Sequence, residues 1–115
     1  MRAALEAVAH QVADVLDALP LDVAVLRADG GATANGFLMQ LQADLLGCAV
    51  EVAADADATA LGAAALAGLG VGTWSGTDDV AALIRRGAHY EPRMARGDAE
   101  RLRGEWRGAL RRVLV

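Results

Sequence analysis

The sequence predicts an α/β fold in which two or three strands are flanked by helices, and three observations lead to it. Residues 3–19 carry Leu and Val at helical spacing, and Pro20 ends that pattern. Two short runs rich in Val and Leu, residues 21–27 and 48–52, are bounded by turn residues, as is typical of buried strands. Because a helical pattern separates the two runs, we expect the strands to pair in parallel.

The rest of the chain predicts more helices and one marginal strand. A second helix covers residues 37–46 and ends at Gly47, and a third covers residues 59–68 after the Asp-rich loop 53–59. The remaining elements are a helix from Asp78 or Asp79 through Arg86, an extended piece at residues 89–91 before Pro92, and a last helix from Gly97 or Asp98 to Leu114.

Two features predict that the chain is the C-terminal piece of a larger protein. The first helix has no Ser, Thr, Asp or Asn before it to cap its N-terminus. Both convincing strands read as buried on two faces, and sheets with such strands usually contain about five or six strands. We therefore expect neighbouring strands that this chain does not contain.

Charge and composition exclude several classes of function. Residues 1–84 carry two Arg against eleven acids, and residues 85–115 carry nine Arg against four acids. The basic half interleaves Arg with Glu as a solvated helix face does, so we expect no nucleic-acid partner. Cys48 stands alone in an apolar run and predicts a buried, inert thiol, while His10 and His89 lie too far apart in sequence to indicate a zinc site.

No membrane or targeting segment is evident. The longest uncharged stretch, residues 58–77, contains five glycines and few large apolar residues, so we interpret it as a buried helix followed by a loop. The first residues lack the uninterrupted apolar run of a signal peptide, because Glu6 interrupts it. We expect a cytoplasmic protein with no membrane partner.

The turn after the first strand is the strongest candidate for a binding site. The strand ends in Gly30 and Gly31, and Asn35 then opens a helix. Glycines let a backbone approach a phosphate, and a helix N-terminus offers unpaired N–H groups at the strand edge where ligands bind in open α/β sheets. The alternative is structural, with the glycines forming a turn and Asn35 only capping the helix, and the spacing alone favours this alternative.

The wider stretch "LRADGGATANGFLMQLQADLLG" resembles the C-terminal domain of the FGGY carbohydrate kinases, and within that family the glycerol kinases. The pattern there is Asp-Gly-Gly-Ala-x-Ala-Asn-Asn, followed by a helix with Phe/Leu-Met-Gln-x-Gln-x-Asp. The stretches "RAALEAVAHQVADVLDAL", "TALGAAALAGLGVGTW" and "YEPRM…RLRGEWRGALRRV" are also similar to the family, so the resemblance covers essentially the whole chain. The departures are Gly36 for the family's second Asn, Asp57-Ala58 for Glu-Thr, His10 for an aromatic residue and Ala13 for an Arg.

The resemblance implies an actin-like ATPase fold, in which two ribonuclease-H-like domains close around a nucleotide. Residues 1–115 would be the last part of the second domain, with the first domain absent. Gly31 and Asn35 fall on the family's nucleotide-binding positions, and Gly30 completes the turn. The helix of small residues at 59–68 would pack beside it. The implied reaction of the full-length parent, with Mg²⁺, is ATP plus glycerol to ADP plus glycerol 3-phosphate.

The catalytic Asp and the glycerol contacts of the family lie in its first domain. We therefore predict no catalytic and no metal-binding residue in this chain, and no activity of the chain alone. Asp29 ends a strand near the turn and could approach a metal through water, but an Asp at such a position more often caps the turn, and neither Asp55 nor Asp57 is expected to replace the missing residues. The expected partners are ATP or ADP, glycerol only through the missing domain, and further copies of the chain through open sheet edges. The alternative function is a stand-alone, non-catalytic module that binds a nucleotide or another protein.

Overall fold

A computed structural model describes residues 1–55 and 57–114 of the 115-residue chain. The described residues form helices and strands in the order α1 (Arg2–Asp17), β1 (Val25–Ala28), a 3₁₀ turn (Gly31–Ala34), α2 (Gly36–Leu46), β2 (Ala49–Ala53), α3 (Ala58–Gly70), α4 (Thr77–Ala81), β3 (Arg86–Tyr90) and α5 (Arg96–Val113). The predicted loop 53–59 includes residue 56, which lies outside the described residues.

The sheet has the strand order β1-β2-β3. Strands β1 and β2 are parallel, with Val25 opposite Ala49, as the sequence predicts. Strand β3 pairs antiparallel with β2, with Val50 opposite Tyr90 and an irregularity between Glu51 and Ala53. The α/β fold class with three strands is confirmed, and the marginal extended piece is a full strand.

Two predicted boundaries, the start of the first strand and the end of the helix after residue 78, are wrong, because pairing between strands sets the observed ones. The first strand was expected at residues 21–27, but it begins at Val25, the residue opposite the first residue of β2. The helix expected to run through Arg86 ends at Ala81, and Arg86 instead begins β3, where it pairs with Ala53. In both places the pairing of the sheet, which a local pattern does not contain, sets the boundary.

The core lies on one side of the sheet. Its buried members come from α1, α2 and β2: Ala9, Leu38, Met39, Ala43, Leu45, Val50 and Val52. Partly buried side chains of β1, β3 and α5 close its margin, among them Leu26, Tyr90 and Leu102. Helix α2 is central, and it ends at Gly47 with φ 69°, the left-handed cap that the sequence predicts.

The other side of the molecule is open, and here two predictions are wrong. Helix α3 buries only Ala65, whereas Leu66 is 71% and Val71 80% exposed, so residues 58–77 do not form a buried helix. Strand β1 alternates exposed and partly buried residues instead of being buried on both faces. The radius of gyration is 17.1 Å, against about 13 Å for a compact domain of this length.

Candidate functional site

The turn at the carboxyl end of β1 is built by Gly30. This residue has φ 97°, a conformation that a residue with a side chain rarely adopts. Its carbonyl oxygen accepts hydrogen bonds from the backbone N–H of Thr33 at 3.1 Å and from the Thr33 hydroxyl at 2.7 Å. These bonds close the 3₁₀ turn that leads the chain into α2. The glycine pair predicts a turn here, but it does not predict the 3₁₀ form.

Asn35 caps α2, which confirms the structural part of its predicted role. Its Oδ1 accepts the N–H of Leu38 at 3.1 Å, and its backbone carbonyl accepts the N–H of Met39. Within the described part of the chain, its amide Nδ2 and the N–H groups of Gly36 and Phe37 have no hydrogen-bond acceptor. One side-chain atom of Asn35 therefore serves the fold, and the other remains a free donor at the helix N-terminus.

The two glycines of the turn differ in what the fold requires of them. Gly30 needs its positive φ, but Gly31 does not have a positive φ. A Cβ at Gly31 would meet no atom within 4 Å. The fold of this chain therefore accepts a side chain at Gly31.

A shallow cleft of about 650 Å³ lies against this turn. We call it the turn cleft, and it is lined by Leu5, Gly31, Ala32, Ala34, Asn35, Gly36 and Leu38. Its walls come from Leu5 of α1, from the turn itself and from the first residues of α2. Helix α3 contributes no residue to it, so the expectation that α3 packs beside the turn is wrong for the described chain.

Gly36 replaces the family's second Asn without a steric reason. A Cβ at this position would lie 3.5 Å from the hydroxyl oxygen of Tyr90, an ordinary contact distance. A Cβ would therefore fit here, beside the Tyr90 hydroxyl. The departure removes a polar group from the edge of the turn cleft and leaves the cap made by Asn35 intact.

Three polar side chains of α2 hold this helix in place. Gln42 donates to the carbonyl of Ala9 on α1 at 3.2 Å, and Gln40 donates to the carbonyl of Glu91 after β3 at 2.8 Å. Asp44 accepts the backbone N–H groups of Arg93 at 2.7 Å and Met94 at 3.2 Å. The "Gln-x-Gln-x-Asp" pattern thus positions the turn cleft by fixing α2 from two sides.

The carboxylates near the turn do not form a metal site. Asp55 pairs with the Arg85 guanidinium at 2.8 Å, and Asp57 caps α3 by accepting the N–H of Ala60. Asp29 lies exposed beside a second cleft of about 340 Å³, which Arg27, Glu51 and Arg86 also line. Over residues 1–55 and 57–114, no three His, Cys, Asp or Glu side chains are grouped as a metal ion requires.

The open face of the sheet carries a row of charges instead of a site with a clear ligand. Glu51 in the middle of β2 lies between Arg27 and Arg86, each 3.3 Å away on a flanking strand.

Cys48, which precedes β2, is partly buried, and burial raises the pKa of its thiol. That shift supports the prediction of an unreactive thiol.

Sequence reasoning missed a buried polar network between the first and last helices, which we call the α1–α5 latch. Its members are His10, Asp14 and Asp17 of α1 and Arg103 and Trp106 of α5. Their spacing of three or four residues on each helix was the only available signal. Nothing in the sequence indicates that two helices about 90 residues apart meet.

Comparison with known proteins assigns the family. The pattern describing the FGGY family of carbohydrate kinases, C-terminal domain, matches residues 1–71. The chain belongs to this family. The resemblance seen in the sequence is therefore confirmed.

Curated relatives of this FGGY kinase chain include the glycerol kinase of Pseudomonas entomophila, which is 49% identical over 119 residues. That alignment covers 98% of the chain and 23% of the relative. The chain thus spans about a quarter of the length of the curated relatives that it matches.

Solved structures of sugar kinases also match the chain over about a quarter of their own length. The glycerol kinase of Plasmodium falciparum, crystallised with ADP, matches 99% of the FGGY kinase chain and 24% of its own, with a TM-score of 0.86 and 35% identity. The match to the xylulose kinase of Rhodospirillum rubrum covers 98% of the FGGY kinase chain and 24% of the xylulose kinase, with a TM-score of 0.76 and 35% identity. FGGY sugar kinases have an actin-like ATPase fold, so the sheet and helices described above form part of a domain of that fold.

Proposed function

We propose that this chain is the ATP-binding, C-terminal portion of a glycerol kinase, which transfers a phosphoryl group from ATP to glycerol. The turn cleft holds the nucleotide, with Gly30, Gly31 and Asn35 as its binding residues. The observation that carries the proposal is Gly31, where neither φ nor packing in this chain calls for a glycine. A bound nucleotide that approaches the backbone supplies the missing reason.

The free donors of the turn suit an anionic, polar ligand. Asn35 Nδ2 donates to the nucleotide while Oδ1 keeps capping α2. The N–H groups of Gly36 and Phe37 add the partial positive charge of a helix N-terminus. The relative from P. falciparum was crystallised with ADP, which supports a nucleotide as the ligand class.

The chain alone is proposed to be inactive. Phosphoryl transfer needs a base, a positioned acceptor hydroxyl and a metal ion that neutralises the phosphates. The carboxylates of residues 1–55 and 57–114 that lie near the turn are occupied by Arg85 or by a helix cap, or lie isolated, so Mg²⁺ would be held elsewhere in a complete kinase. Glycerol would be bound by the first domain.

Because ATP is the proposed phosphoryl donor, we propose the cytoplasm as the compartment of this protein. No helix of the described residues is long and apolar enough to cross a membrane.

The sharpest test separates the two atoms of the Asn35 side chain. The chain replaces the matching C-terminal quarter of the P. entomophila glycerol kinase, and ATP and glycerol binding are measured by calorimetry. Asn35→Ser keeps an N-cap oxygen and removes the amide donor, so it should weaken ATP binding by about 1–3 kcal/mol with little change in melting temperature. Asn35→Ala removes both and should also lower the melting temperature of the ligand-free protein. Unchanged ATP affinity in Asn35→Ser, with glycerol binding intact, would contradict the role of the amide.

Substitutions of Gly30 and Gly31 provide a second test in the same hybrid kinase. Gly31→Ala fits the described fold and should weaken ATP binding while leaving unfolding unchanged. Gly30→Ala should instead destabilise the fold by about 1 kcal/mol or more, because its φ of 97° strains any side chain. If Gly31→Ala binds ATP as tightly as the parent, the nucleotide does not approach this residue.

The alternative, a stand-alone module that binds a nucleotide or a protein without catalysis, is favoured by the exposed apolar side chains of α3 and the unpaired outer edge of β1. The purified chain distinguishes the two functions. The glycerol kinase proposal predicts no glycerol phosphorylation and no submicromolar ATP binding by the chain alone. Tight ATP binding without the rest of a kinase would favour the module.

A further inference from the structure

The α1–α5 latch is organised around one histidine. His10 is buried, and its ring stacks on Trp106 with 5.1 Å between ring centroids and 7° between planes. Arg103, which is only 4% exposed, places Nη1 at 3.3 Å from His10 Nδ1 and at 2.9 Å from the His10 carbonyl oxygen. A guanidinium can only donate, so Nδ1 must accept and the neutral ring carries its proton on Nε2.

The rest of the latch fixes the guanidinium on the other side. Nη2 of Arg103 donates to Asp14 at 2.6 Å and to Asp17 at 3.0 Å. Trp106 Nε1 donates to the second oxygen of Asp14 at 2.7 Å. Arg103 is therefore held in one orientation, with one N–H directed at the acceptor nitrogen of His10.

We propose that the α1–α5 latch is a proton-operated device, in which protonation of His10 Nδ1 displaces Arg103 and loosens α5 from α1. A proton on Nδ1 turns the acceptor into a donor that faces the N–H of Arg103. It also places a second positive charge beside a buried guanidinium. Protonation of the ring therefore destabilises the closed latch, while an opened latch returns the ring to solvent.

The charges around His10 do not remove this conflict. Burial, and then Arg103, lower the pKa of His10, although Asp14 and Glu6 on α1 act in the opposite direction. On α5, Arg107 donates to the Arg103 carbonyl one turn away and adds positive charge. Helix α2 contacts this side of α1 through the neutral Gln42. Burial works against ionisation of Asp14, but the hydrogen bonds from Trp106 and Arg103 prevail and lower its pKa, so Asp14 stays charged while His10 titrates.

The sign of the pH effect follows from these directions. In the closed latch the pKa of His10 lies below the ordinary value near 6.5, which the ring regains when the latch opens. The stability supplied by the neutral ring is complete above pH 6.5, and it is lost as the pH falls from 6.5 toward the pKa of the closed state. Acid therefore favours the open latch.

Amide hydrogen exchange measured by NMR between pH 5 and 8 tests the device on the full chain. Protection factors along α5, corrected for intrinsic exchange, should fall by up to about tenfold per pH unit below pH 6.5, the limit for one proton. Those of α2 should fall less, because Gln40, Gln42 and Asp44 hold that helix independently. The His10 ring signals should titrate with a midpoint below 6.5.

Two variants serve as matched controls. His10→Phe keeps a ring against Trp106 but cannot titrate, so the pH dependence of α5 should disappear. His89→Gln removes the other histidine, which contacts Glu91 on the exposed edge of β3, and should leave it unchanged. The proposal is overturned if His10→Phe keeps the dependence, or if α2 and α5 lose protection equally. A His10 midpoint at or above 6.5, read directly in the wild-type chain, overturns it even if the Phe variant does not fold.

Discussion

Helices α1, α2 and α5 surround the core, whereas α3 and α4 contribute only Ala65 to the buried residues. The two regions are held in different ways. The first region buries the core together with His10, Gln42, Asp44 and Arg103, and every buried polar side-chain atom of the described chain has a partner. The second region buries little, although the Trp74 ring packs closely against Gly68, where a Cβ would overlap the ring. Specific polar contacts fix one region, whereas small side chains and apolar surface characterise the other.

The difference lies in how each part of the domain is held together. In the α1–α2–α5 region, the buried polar side chains find their hydrogen-bond partners within the chain. The exposed Leu66 and Val71 of the α3 region suit a surface that the remaining three quarters of a relative's length would cover. Three substitutions break or sharpen this contrast, in order of their expected effect on the free energy of unfolding.

Removal of the central cation of the latch should have the largest effect. Arg103→Ala removes the guanidinium that donates to Asp14, Asp17 and the His10 carbonyl, and we expect a loss of about 2–3 kcal/mol. This figure lies below that of a fully buried pair, because the two carboxylates are 36% and 66% exposed. Urea unfolding followed by circular dichroism measures it. Arg101→Ala, which breaks only exposed pairs with Asp98 and Glu105, should leave the unfolding midpoint unchanged, and equal losses in the two variants would contradict the contrast.

Truncation of Asp44 should come next. Asp44→Ala leaves the backbone N–H groups of Arg93 and Met94 without an acceptor, at a cost of about 1–3 kcal/mol. The same urea experiment measures this loss, and amide exchange should be faster at Arg93 and Met94. Asp44→Asn keeps an oxygen at that position and should lose less. If Asn and Ala lose the same amount, the carboxylate's charge matters and its geometry does not.

Substitution on α3 should have the smallest effect on stability and a clear effect on association. The double variant Leu66→Gln and Val71→Gln should change the free energy of unfolding by less than about 0.5 kcal/mol, because both side chains are already in water. Self-association, followed by light scattering after size exclusion, should decrease. Val15→Gln on the exposed side of α1 is the control and should not reduce it. Association that survives the α3 change points to the open edge of β1 instead.

Local signals predicted the parts of the candidate site that depend on neighbours in sequence. An Asn before an amphipathic run marked the cap of α2, and Gly47 marked its end. The glycine pair marked the turn, but the sequence could not distinguish Gly30, which needs its φ, from Gly31, which does not. That distinction depends on backbone angles and on the space around each residue.

The sequence by itself determined the α/β class, the parallel pair of strands, the position of the turn and, through its resemblance, the FGGY family. Only the tertiary structure decided where β1 begins, that β3 runs antiparallel, and that α3 is exposed. It alone joined His10 to Arg103 across 93 positions of sequence. The physical reason is the same in each case. Periodicity and caps are set by residues within a few positions of one another, whereas strand pairing, burial and a shared guanidinium depend on which distant surfaces meet.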